Sequence, residues 1–89
     1  MYAVAWNPAA TEQIDTAWRS FDVVRREKLV ESLDIVERQL TMIPTEVGES
    51  REVSNERILI EPPLVVYFRV DESKQQVRVL SARVANTDL

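Results

Sequence analysis

The sequence predicts an α+β domain with the element order β-α-α-β-β-β, an antiparallel sheet carrying a helical hairpin on one face. Three observations predict it. Apolar residues recur at helical spacing through the first half of the chain. They alternate with a period of two through much of the second half. Pro44 and Gly48 punctuate the boundary between the halves. With 89 residues, the chain makes one small domain over 1–89. A chain of this size buries roughly 60–65% of the surface its unfolded form exposes, so a single core is expected.

The elements follow in order. "YAVAW" over 2–6 is a short strand. Asn7 and Pro8 then start a helix, because Asn is a good N-cap and Pro suits the first helical position. Ala10, Ile14, Ala17, Trp18 and Phe21 lie on one face of that helix. Ser20 or Asp22 caps a second helix, whose stripe is Leu29, Leu33, Val36 and Leu40. Trp6 and Trp18 are expected in the core. "TEVGESREVSNE" is polar and turn-like, with "REVS" a candidate short strand, and "RILIE" over 57–61 is a better one. Pro62-Pro63 cannot donate ladder hydrogen bonds and marks a break. "LVVYFRV" over 64–70 is β-branched and aromatic. "DESKQQ" turns the chain, "VRVLSA" over 77–82 returns it, and "NTDL" is expected to fray.

Alternation suggests a register for the final hairpin. With Val70 opposite Val77, Phe68 falls opposite Val79 and Val66 opposite Ser81. The other face then carries Val65, Tyr67 and Arg69 beside Arg78, Leu80 and Ala82. Arg69 and Arg78 would lie directly opposed, a like-charge arrangement on a scale of roughly 0.2–1 kcal/mol per pair. An acid or an anion would offset it. Arg57 and Glu61 share a face of their own strand, and Glu61 is the expected acid.

Composition excludes several function classes. There is no cysteine and no histidine. Disulfides, thiolate zinc sites and a Ser-His-Asp arrangement are therefore out, and no metal site or cofactor is expected. No apolar run approaches the roughly 20 residues of a membrane span, and "MYAVAWNP" lacks the pattern of a signal peptide. A cytoplasmic protein with no membrane partner is expected. The net charge of −4 argues against strong non-specific nucleic-acid binding. The charge is uneven, however: seven acids against five bases over 1–43, and five acids against six bases over 51–84.

The stretches "VAWNPAATEQI", "IVERQLTMIPTEVGESR", "RILIEPPLVVYFRVDE" and "VRVL" together resemble the RelE/ParE superfamily of type II toxin–antitoxin toxins, often labelled plasmid stabilisation proteins. The resemblance spans residues 2–83. It implies a RelE/ParE-like fold and a cognate antitoxin as partner. It implies, further, one of two targets: mRNA on the ribosome for RelE-like members, or DNA gyrase for ParE-like members. The ribonuclease members need no histidine. They hold the scissile phosphate with Lys and Arg on the sheet, and guanidinium groups match that geometry and stabilise the developing charge.

Carried over, Arg57 and Arg83 stand where the resemblance implies positively charged catalytic residues. Arg51, Arg69, Arg78 and Tyr67 are the candidates for contact with RNA or another anion. The chain departs from the ribonuclease pattern in two places. Leu64 stands where those members often carry an arginine, and no Tyr or His follows Arg83. Against these roles stands the plainer reading of a solvated face with local ion pairs, weak in energy. Glu52 and Glu56 likewise read as loop solubility rather than an acid–base pair. Three functions stay open: a toxin-family protein bound by its antitoxin, an active ribosome-dependent endoribonuclease, and a non-catalytic interaction module or homodimer of the same fold.

Overall fold

The computed structural model describes residues 1–51 and 55–85. Strand β1 (Ala3–Trp6) leads into helices α1 (Pro8–Ser20) and α2 (Val23–Met42). Strands β2 (Glu49–Ser50), β3 (Glu56–Glu61), β4 (Leu64–Asp71) and β5 (Gln76–Val84) follow. They form one sheet in the order β1-β5-β4-β3-β2. The candidate strand "REVS" lies, apart from Arg51, outside the described residues, as do "NTDL" and Glu52.

Local chemistry sets the helix ends. Asn7 is extended and Pro8 opens α1, as expected. The Asn7 backbone carbonyl accepts the Ala10 N–H at 2.9 Å, while its side chain makes no cap bond. Asp22 does cap α2, with Oδ1 accepting the Arg25 N–H at 2.9 Å. Such a cap contributes about 1 kcal/mol. Beyond α2, Pro44 is buried.

The sheet is mixed, which corrects the expectation of an antiparallel one. β1 pairs with β5 in parallel, Val4 opposite Val77 and Trp6 opposite Val79, whereas every other pairing is antiparallel. The two-residue β2 accounts for the difference. It adds one reversal between α2 and β3, so β5 finishes in the direction of β1 rather than against it.

The core forms where α1 and α2 meet one face of the sheet. Leu29, Val36 and Leu40 of α2 pack with Leu64, Val66, Phe68, Val77 and Val79, all essentially sealed from solvent. Ser32 sits among them and donates from its hydroxyl to the Pro62 carbonyl at 2.7 Å, so its burial is satisfied. Trp6 is half-buried and donates its Nε1–H to Glu37 Oε2 at 3.0 Å. Trp18, expected inside, is 36% exposed. The Arg26 guanidinium lies 5.1 Å from its ring and donates to its carbonyl, so the indole is held against a cation at the surface.

Two features set the faces of the sheet. Pro62-Pro63 interrupts the strands as expected, as a two-residue hairpin loop joining β3 to β4, and it places Glu61 opposite Leu64 and Glu56 opposite Arg69. The β4–β5 ladder keeps the expected register from Val70–Val77 to Phe68–Val79. It then shifts: Tyr67 pairs with Ser81 and Val66 with Ala82, which leaves Leu80 as the extra residue of a bulge. A bulge flips the side-chain parity beyond it. Ala82, expected on the outer face, is therefore buried in the core, and Ser81 leaves it.

Candidate anion-binding face

The face of the sheet turned away from the helices collects the cations. Arg69 and Arg78 are directly opposed across β4 and β5, and both are exposed. Each is steadied by a different neighbour. Arg69 Nη2 donates to Glu56 Oε2 at 2.6 Å, from the residue directly across on β3. Arg78 Nη1 donates to the Asn7 Oδ1 at 3.0 Å. The acid expected from Glu61 thus comes from Glu56, since Glu61 shares the register parity of Leu64 on the core side. These contacts separate the two guanidiniums and ease their repulsion.

Arg83 joins this face because of the bulge. It pairs with Val65, two residues from Tyr67 on the outer side of β4, and it is exposed. Without the extra Leu80, the parity of β5 would turn Arg83 toward the helices. Arg51 reaches the same region from the residue after β2, its Cζ lying 5.8 Å from the centroid of the exposed Tyr67 ring. Arg51, Tyr67, Arg69, Arg78 and Arg83 are therefore assembled by the strands on one outer surface. Guanidiniums set around an aromatic ring suit a phosphate flanked by a stackable base.

Arg57 does not belong to that assembly. It pairs with Phe68 on the opposite parity of β3. Its Nε donates to the Val47 carbonyl at 2.9 Å and its Nη2 to the Gly48 carbonyl at 3.1 Å. The guanidinium thereby ties the loop after α2 to the sheet. The hollow beside it is lined by Asp71, Glu72 and Ser73. The Ser73 hydroxyl, at 2.7 Å, and the Lys74 N–H, at 3.1 Å, hold the Asp71 carboxyl below its ordinary range, so it is an anion at neutral pH. A phosphate would meet like charge there.

Two signals for this arrangement were present in the sequence. In "VRVLSARV" the apolar positions shift from Val77 and Val79 to Ala82 and Val84, a change of phase that marks the bulge. A two-residue loop at Pro62-Pro63 would have paired Glu56 with Arg69 directly. Among the described residues, no group of three or more acidic side chains is placed to hold a metal ion.

Comparison with solved structures identifies the fold. The RelBE2 toxin–antitoxin complex from Mycobacterium tuberculosis contains a chain that superposes with a TM-score of 0.74 at 16% identity, over 97% of this chain and 93% of that one. A chain of the chromosomal ParDE toxin–antitoxin system from P. aeruginosa matches with a TM-score of 0.69 at 22% identity, over 97% and 98%. The isolated E. coli RelE toxin matches with a TM-score of 0.63 at 19% identity, over 99% and 88%. No protein-family model and no curated protein matches the sequence. The chain has the α+β fold of the RelE and ParE toxins, end to end.

Proposed function

We propose that this chain is the toxin component of a type II toxin–antitoxin pair, acting in the cytoplasm and neutralised by a cognate antitoxin. The observation that carries the reading is the end-to-end correspondence with chains of the RelBE2 and ParDE systems, one of them solved as a toxin–antitoxin complex. The outer sheet face, with Arg51, Tyr67, Arg69, Arg78 and Arg83, is the surface that meets the target. Expression of the chain alone is expected to arrest growth, and co-expression of the small polypeptide encoded beside it to relieve the arrest. Normal growth at full expression would overturn the reading.

A second reading, cleavage of ribosome-bound mRNA, is favoured by the placement of Arg83 on that face, opposite Val65 and two β4 residues from Tyr67. In it Arg83 stabilises charge at the scissile phosphate. Arg57, committed to the Val47 and Gly48 carbonyls, supports the fold rather than the chemistry. New 5′ ends on translated mRNA, present with wild type and lost with Arg83→Ala but not with Arg57→Lys, are the expected signature. Growth arrest without any new ends would favour gyrase as the target.

A further inference from the structure

The side of the helical hairpin turned away from the sheet carries an apolar groove with an acidic border. Its floor runs from Trp18 and Val23 through Val30 to Leu33 and Trp6. Val30 lines both hollows, so the two adjoin along the α1–α2 seam. Val23 is 71% exposed, Val30 47% and Trp18 36%, while Leu33 and Trp6 are half-buried. Four acids of α2 border it: Glu27, Glu31, Asp34 and Glu37. Arg26 is the one base along its edge among the described residues, and it is drawn onto Trp18. Among the described residues, no hydrogen bond or ion pair engages the side chains of Glu27, Glu31 or Asp34.

From these observations we infer that the groove takes an amphipathic helix whose apolar stripe is flanked by lysine or arginine, and that the antitoxin supplies it. The second half of that statement rests on the toxin reading; the first does not. A seam between two helices fits a third helix, whose side-chain ridges enter the grooves beside it. The acids run from Glu27 to Glu37, about 15 Å along the helix, which matches roughly three turns of a bound helix. The charge selects among occupants. A second copy would bring one acidic border against another, and a nucleic acid would meet carboxylates. A basic helix alone gains from both the apolar floor and the border. The two faces of the protein would then recognise opposite charges, anions at the sheet and cations at the helices.

The test uses the full chain and two synthetic helical peptides. Both carry leucine at i, i+4, i+7 and i+11. One has lysine at the flanking positions and the other glutamate. Binding is read from the fluorescence of Trp6 and Trp18 and by calorimetry at two salt concentrations. The lysine peptide is expected to bind at least tenfold more tightly, with the advantage shrinking at higher salt. The double reversal Glu31→Lys, Asp34→Lys should invert the preference. Val30→Asp, at an exposed position, should abolish binding of both peptides while leaving the circular dichroism spectrum unchanged. Equal binding of the two peptides, or binding untouched by these variants, would overturn the inference. So would a dimer of the free chain that Val30→Asp dissociates.

The two readings fail separately. If the neighbouring polypeptide relieves growth arrest as well against the double reversal as against wild type, the groove assignment falls and the toxin reading stands. If the lysine peptide binds as expected but expression never arrests growth, the toxin reading falls and the groove remains.

Discussion

Gly48 and Arg57 jointly shape the loop between helix and sheet. Gly48 has a φ of +71°, in the region that favours glycine. A Cβ there would collide with the Ile58 carbonyl oxygen, a backbone atom that cannot step aside. Arg57 then closes the loop from the other side through the carbonyls of Val47 and Gly48. Gly48→Ala is expected to destabilise the fold by more than about 1 kcal/mol, since both the backbone angle and the close approach are lost. Urea unfolding would measure it; an unchanged midpoint would contradict the account. The glycine was legible as a stop signal in the sequence. The tie from Arg57 was not, because it joins residues ten apart across a loop whose path no local pattern specifies. That is why Arg57 reads as a site residue in the sequence and as a clamp in the structure.

At the scale of the element, β5 is the strand that decides the outer face. Its first part follows strict alternation, with Val77 and Val79 inward and Arg78 outward. After Leu80 the parity changes, so that Ala82 enters the core and Arg83 comes out. Deleting Leu80 would restore simple alternation and drive Arg83 toward the core. The expected cost is on the order of 3–5 kcal/mol, that of burying a charge without a partner. Thermal denaturation followed by circular dichroism would show it as loss of most of the cooperative transition. Conversely, retention of wild-type stability would mean that the bulge does not set the parity. Strand identity and the Arg69–Arg78 opposition were readable from period two. The parallel pairing of β1 was not, because a two-residue β2 leaves almost no trace in the sequence yet reverses the chain once more.

For the whole molecule, the net charge of −4 conceals an uneven distribution of charge between two surfaces. The acids of α2 lie on the helical side, while Arg51, Arg69, Arg78 and Arg83 lie on the sheet side. An overall charge therefore predicts neither surface. If the sheet face engages single-stranded RNA through three or four phosphates, log K should fall with log salt at a slope of about −2 to −3. Removing one contact with Arg83→Ala should flatten it by about 0.7. Fluorescence anisotropy of a labelled single-stranded RNA would measure both slopes; affinity independent of salt would exclude phosphate contact at this face.

The order in which the strands are synthesised differs from the order in which they lie in the sheet. Among the described strands β5 comes last in the chain and yet sits between β1, the first of them, and β4. β1 has no strand partner until β5 arrives, so its pairing must close a loop nearly as long as the whole described chain. Arg78 and Arg83 also enter on that last strand. While the ribosome is still extending it, the polypeptide holds neither a closed sheet nor a complete cationic face. The closed sheet and the full cationic face therefore form together, when β5 pairs along both of its edges.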